Sequence, residues 1–232
     1  TLSSSSAASD VYKRQELTPP RLVGSCVRQD GKSASLTAPN GLAQQGLLHA
    51  ALCDAAIQPQ DVLAMEAHGT GTALGDPIEA RSVASILTGR TNAPVLTLSS
   101  IKANAGHAEP AAGISGLMQL ITTFSAAMTK PNAQLRAINP HVNAALVSRQ
   151  CSLPSQQCAV VSTSSTLSHG GVSSFGYSGT IVHCVLGNST SNLGTKYSMR
   201  ELQFSPESKP SFERRRYSWP KADRGELARA PC

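Results

Sequence analysis

Apolar residues recur along the middle of this chain in two alternating rhythms, one helical and one suited to short buried strands. After Asn40, a residue that caps helices well, Leu47, Leu48, Ala51, Leu52 and Ala55 fall on one helical face, so the spacing predicts a helix running to about Ala56. Pro59 and Asp61 then mark a turn, and Val62 to Ala67 is an apolar run of strand length. A second helix start follows, with Asp76 as cap, Pro77 at the first helical position and Glu79 three residues after the cap, before Val83, Ile86 and Leu87 turn inward. The rhythm then repeats. Pro94 to Ser99 predicts a strand, and Pro110 opens a helix through Leu117, Leu120, Ile121 and Phe124, with Gly113 and Gly116 thinning one face for close packing. Val160 to Ser162 and Ile181 to Leu186 add two more strands, and the alternation predicts an α/β layered architecture.

Each of the first two strands runs into a glycine-rich corner that carries a histidine: Glu66-Ala67-His68-Gly69-Thr70-Gly71-Thr72-Ala73-Leu74-Gly75-Asp76-Pro77 and Lys102-Ala103-Asn104-Ala105-Gly106-His107-Ala108-Glu109. Glycine lets the backbone bend tightly and approach a ligand, and strand-to-helix corners are where α/β folds gather catalytic groups. The glycines are not a nucleotide signature: no P-loop Lys-Ser/Thr pair follows them, and their spacing is not Gly-x-Gly-x-x-Gly.

Two further blocks complete an ordered set. Gln29-Asp30-Gly31-Lys32-Ser33 with Leu36-Thr37-Ala38-Pro39-Asn40-Gly41 precedes the first histidine, and Gly171-Val172-Ser173-Ser174-Phe175-Gly176-Tyr177-Ser178-Gly179-Thr180 closes the series. Together the four blocks resemble the β-ketoacyl synthases, above all the ketosynthase domains of modular polyketide synthases, over most of residues 21–187. The resemblance implies a thiolase-like layered αβαβα sandwich, of which this chain carries only the C-terminal half. It implies decarboxylative Claisen condensation of a malonyl-type extender with a carrier-bound acyl chain. A non-catalytic thiolase-fold partner for chain length or scaffolding in a megasynthase is the alternative.

Under that resemblance His68 and His107 are donors to the thioester oxygen on which charge develops when carbon dioxide leaves. Lys102 and Glu79 are the charged support pair, expected to meet as an ion pair. Thr70 and Thr72 resemble the hydroxyls that bind the phosphopantetheine arm of an acyl carrier protein, the expected partner and substrate carrier; turn stabilisation is the plainer role for both. Phe175 matches a gate residue whose N–H contributes to an oxyanion hole. The nucleophilic cysteine of the family lies upstream of the first histidine block, and none of Cys26, Cys53, Cys151, Cys158, Cys184 or Cys232 has its context, so no nucleophile is expected in this chain. Where many members have Gly-Thr-Asn-Ala-His after the phenylalanine turn, this chain has Gly179-Thr180-Ile181-Val182-His183 and loses an amide that could brace the turn.

Composition refines this picture at the two ends. The net charge is +6, with nine Lys/Arg against seven Asp/Glu over residues 21–187 and nine against five over residues 188–232. Aromatics are only 4%, which argues against nucleic acid as a partner, and no apolar run approaches a membrane span. The cysteines have no zinc spacing and His49, His141, His169 and His183 have none with them or one another, so no metal is expected and a reduced intracellular, soluble setting fits. Residues 1–20 lie outside the resemblance, and the opening TLSSSSAASDVYKRQ reads either as translated adaptor sequence or as a disordered Ser-rich terminus. Residues 188–232 form a polar, basic linker in which Phe212-Glu213-Arg214-Arg215-Arg216-Tyr217-Ser218-Trp219 resembles a segment that folds back onto ketosynthases; a solvated tail is the other reading. The short linker implies an acyltransferase supplied elsewhere, and the resemblance implies a homodimer for the full-length domain.

Overall fold

The computed structural model describes residues 20–33, 38–88, 90, 93–160 and 167–189. Among them run the strands β1 (Arg21–Gln29), β2 (Val62–Glu66), β3 (Leu96–Ser99), β4 (Met128–Thr129), β5 (Cys151–Ser152), β6 (Cys158–Ala159), β7 (Leu167–Phe175) and β8 (Thr180–Ser189). The helices are α1 (Gly41–Asp54), α2 (Gly75–Leu87), α3 (Lys102–Ala105), α4 (Ala112–Ala126) and α5 (Pro140–Leu146). Six strands make one sheet in the order β1-β8-β7-β2-β3-β5, and β4 pairs with β6 apart from it. The β7-β2-β3-β5 side is parallel, while β8 is antiparallel to both β1 and β7.

Parallel strands need covered crossovers, and the burial pattern shows the cover. All five residues of β2 are buried, and the neighbours Ala64 and Met65 feed opposite layers. Met65 joins Leu48, Leu52, Val83, Ile86 and Leu96 in the core beneath α1 and α2, whereas Ala64 meets Leu120, Phe124 and Val172 beneath α4. The result is a helix–sheet–helix sandwich. Gly113 and Gly116 let α4 approach closely: a Cβ on Gly116 would sit 3.3 Å from Glu66 Cγ, and one on Gly113 would sit 3.0 Å from Ser174 Oγ.

Asn40 caps α1 as its sequence position suggests, accepting from Leu42 N and Ala43 N at 3.1 and 3.2 Å. The start of α2 differs from expectation. It begins at Gly75, whose N–H donates to Thr72 Oγ1 at 3.1 Å, while Asp76 turns back to accept from Gly71 N at 3.1 Å. Thr72 therefore does the capping, because the tight glycine turn brings its hydroxyl under the first helical amide. Before α4 the chain makes a 3-10 turn at Glu109–Ala111, since Glu109 takes φ 41° and no regular helix starts there. β3 begins at Leu96, two residues after Pro94, whose carbonyl accepts from Arg90 Nη2 instead of joining the ladder. β6 ends at Ala159, just before the strand expected at Val160 to Ser162, of which residues 161–162 lie outside the described ones.

Candidate active site at the paired histidine loops

Because β2 and β3 are parallel neighbours, their C-terminal ends deliver both histidine loops to one edge of the sheet. His68 follows β2 by two residues, and the β3 loop runs through Lys102 to His107. The imidazole centroids stand 5.7 Å apart with the planes at 89°, and the His68 ring lies 5.2 Å from the ring of Phe175 at the end of β7.

The local bonds orient both rings. Phe175 N–H donates to His68 Nδ1, and Glu109 N–H donates to His107 Nδ1, each at 3.3 Å. A ring nitrogen that accepts leaves the imidazole proton on Nε2, so both histidines present an Nε2–H donor. Burial, with Lys102 and His107 adding, pushes His68 down to about 4 and keeps it neutral near pH 7. Phe175 N–H, which the resemblance placed in an oxyanion hole, is thus engaged by His68 in this structure.

Glu79, on α2, acts as a staple. Its two oxygens accept from His68 N at 2.7 Å and Gly69 N at 2.9 Å, fixing the loop at the histidine itself. Burial pushes its carboxyl up to about 7 against those two bonds. The expected direct ion pair with Lys102 is replaced by this arrangement, because the rigid loop amides occupy both oxygens and Lys102 acts on Glu79 only through space. Lys102 is half-buried, which lowers its pKa, while Glu66, Glu79 and Asp76 favour its charge.

Glu66 was not singled out from the sequence, yet it is the most deeply buried acid here, 1% exposed at the end of β2. It accepts from Ser99 Oγ at 3.0 Å and from the backbone N–H of Ile101, one residue before Lys102. Burial pushes its carboxyl up to about 6. The only signal in the sequence was an acid closing an otherwise apolar strand. Asn132 was likewise missed. It accepts from Ser100 N at 2.9 Å and donates to Leu98 O and Pro154 O, which pins the end of β3.

A cavity of about 620 Å³ opens beside these loops. Thr70, Thr72, Asp76, Lys102 and His107 form its polar wall, and Leu135, Ile138, Val142 and Leu153 its apolar one. Thr72 faces the cavity while also capping α2, and its hydroxyl lies 3.5 Å from that of Thr70. His183 is fully buried, 2.9 Å from Ser173 Oγ, whereas His49 and His141 are exposed. The five described cysteines are free, and burial pushes the Cys151 thiol up to about 11, away from nucleophilic activation. Among the described residues no group of three His, Cys, Asp or Glu is placed to hold a metal ion, and no helix is long and apolar enough to cross a membrane. The Phe212 to Trp219 segment lies outside the described residues.

Residues 21–136 match the model of the family described as "Beta-ketoacyl synthase, C-terminal domain", a span that includes both histidine loops. The chain belongs to this family. It is 40% identical over 171 residues to a phenolphthiocerol/phthiocerol polyketide synthase of Mycobacterium tuberculosis (strain CDC 1551 / Oshkosh), with 71% of this chain and 9% of that protein covered. It is 38% identical over 169 residues to a pikromycin polyketide synthase component of Streptomyces venezuelae, covering 70% of this chain and 4% of that protein. The chain therefore spans less than a tenth of the length of these relatives. The ketosynthase from module 6 of the bacillaene synthase of Bacillus subtilis 168 superposes with a TM-score of 0.69 at 27% identity, covering 78% of this chain and 32% of that one. This likeness confirms a thiolase-like ketosynthase architecture in which the chain forms the C-terminal part.

Proposed function

We propose that this chain is the histidine-bearing part of a polyketide β-ketoacyl synthase that extends a carrier-bound acyl chain by decarboxylative Claisen condensation. The observation that carries the reading is the pairing of two imidazoles, each held at Nδ1 by a backbone N–H, with His107 on the wall of the cavity and His68 5.7 Å away. Two Nε2–H donors suit an oxygen that gains negative charge in the transition state. When the malonyl carboxylate leaves as carbon dioxide, the electrons of the broken C–C bond pass to the thioester enolate, whose oxygen these donors stabilise. The enolate carbon then attacks an acyl thioester held on a cysteine outside this chain, forming the new C–C bond and expelling the thiolate.

The remaining residues take supporting parts in this proposal. Lys102 supplies positive potential at the enolate, and Glu79 fixes the backbone that carries His68. Thr70 and Thr72 border the phosphopantetheine arm of an acyl carrier protein, and the apolar wall takes the acyl chain. The 3.3 Å bond from Phe175 N–H to His68 is weak enough for an incoming thioester oxygen to claim that donor. A purely scaffolding partner would have no need of two adjacent tautomer-fixed histidines, one of them on the wall of the cavity.

The test uses the polypeptide that carries this chain together with its cysteine-bearing part. His107→Ala should abolish malonyl-thioester decarboxylation while leaving acyl transfer to the cysteine measurable, because only the former develops charge on the malonyl oxygen. Undiminished condensation by the variant would refute the assignment.

A further inference from the structure

Among the described residues, the turn that carries Phe175 has no side-chain hydrogen bond within itself, and Ile181, which follows it, is buried in the sheet at 1% exposure. The turn closes on itself with two backbone bonds, Gly176 N to Thr180 O at 2.7 Å and Gly179 N to Gly176 O at 3.0 Å. Those bonds set its shape and leave its position over His68 open. The position is set from β1. Gln29 Nε2 donates to Ser178 O at 3.0 Å, its Oε1 lies 3.5 Å from Thr180 Oγ1, and the N–H of the next residue, Asp30, donates to Gly179 O at 2.7 Å. Gly179 takes φ +93°, and a Cβ there would come within 2.6 Å of Gln29 Nε2, so the amide lies directly against the left-handed glycine.

The platform behind Gln29 is itself anchored. Asn40 at the start of α1 donates its N–H to Asp30 Oδ2 at 3.1 Å and its side-chain amide to Asp30 O at 2.8 Å. A continuous set of bonds therefore runs from the α1 cap through Asp30 and Gln29 to the turn. From the turn it passes through Phe175 N–H to His68 Nδ1.

We propose that Gln29 is a positioning residue: its side-chain amide, arriving from the neighbouring strand, holds the Phe175 turn in register over His68. It acts through Ser178 and Phe175 and touches no reacting atom. Because Gln29 is exposed, the clamp contributes to the pose of the turn far more than to the stability of the sheet. The catalytic consequence rests on the function proposed above, whereas the structural one does not.

The experiment compares wild type, Gln29→Leu and Gln29→Glu, the last keeping length and acceptor oxygens but unable to donate to Ser178 O. In both variants, hydrogen exchange over residues 173–183 should accelerate about fivefold, the loss of one neutral hydrogen bond. Exchange in β2 and α2 should stay at the wild-type rate. The ¹⁵N imidazole signals of His68 should shift toward mixed tautomers. In the cysteine-containing polypeptide, kcat for condensation should fall with KM for the carrier unchanged. Unchanged exchange and unchanged His68 signals in both variants overturn the proposal, and so does acceleration spread equally over β2 and α2. If wild type itself fails to condense, the proposed function fails, and the exchange and imidazole readouts still decide the role of Gln29.

Discussion

Replacing Glu79 by glutamine should change the stability of the chain by an amount whose size depends on pH. The wild-type carboxylate accepts two backbone N–H bonds, at 2.7 and 2.9 Å, from His68 and Gly69. Glutamine offers one acceptor oxygen and turns its NH2 toward the other donor, so one loop N–H loses its partner, at a cost of about 1–3 kcal/mol. Against this stands the cost of burying a charge. Glu79 is pushed from 4.5 up to about 7, so the folded chain binds a proton more tightly than the unfolded one. Between those two values the folded state carries the proton and the unfolded state does not, so wild-type stability is greatest below the unfolded pKa and falls as pH rises through the folded one. The integrated loss is about 3 kcal/mol. The variant has no such group. Glu79→Gln should therefore be clearly destabilising at pH 5 and close to neutral, or stabilising, at pH 8. Urea unfolding of both proteins at several pH values from 5 to 8 reads the difference directly. Glu66, pushed up to about 6, and His68 and His183, both pushed down to about 4, also make stability depend on pH, but they are present in both proteins and cancel in the difference. Parallel stability curves, with a constant offset across the range, would refute the assignment of a buried, strongly shifted carboxyl at this position.

Other outcomes follow from the same geometry. Glu66→Ala should destabilise the chain by about 3 kcal/mol or more in equilibrium unfolding, since it strips the acceptor from Ile101 N–H and Ser99 Oγ–H at a site 1% exposed. Because the low His68 pKa comes chiefly from burial, the His68 ring should remain neutral on acidification from pH 7 to pH 5; an NMR titration showing protonation near 6.5 would contradict the packing against Phe175 and His107. Thr72→Val should cost about 1 kcal/mol in thermal or urea unfolding by removing the acceptor for Gly75 N–H, and Thr72→Ser should restore it.

How much of this was legible in the sequence depends on how local the determinant is. Asn40 could be recognised as a cap because the cap bond runs to residues two and three positions on, and β2 could be recognised because five successive residues are buried on both faces. Strand β7 could not. Its residues Ser168, Gly170, Gly171, Ser173 and Ser174 have little intrinsic preference for extended structure, and it forms because β2 and β8 pair with it along both edges. β1 escaped notice for a related reason: Leu22 and Val27 are exposed and Gly24 is buried, an inversion of the usual half-buried alternation. The ladder with β8 carries it instead.

The site shows the same division between residue type and partner. His68, His107 and Lys102 announce themselves because glycine-rich corners need particular residues at particular positions, and those blocks carry the family resemblance. What each side chain bonds is set by contacts across the fold, and there the expectation for Glu79 failed. An isolated buried lysine invites the assumption that the nearest plausible acid pairs with it. Yet a carboxylate on a helix facing two unpaired amides of a tight loop gains more from those fixed, short bonds than from a flexible ammonium that keeps partial access to solvent. Lys102 is then left near three carboxyls that act on it through space, and two of them are raised into the range from about 6 to about 7. Near pH 7 a carboxyl at about 6 is mostly ionised and one at about 7 about half ionised, so the two together offset the charge of Lys102, and that offset weakens only as the pH falls and the acids take up protons.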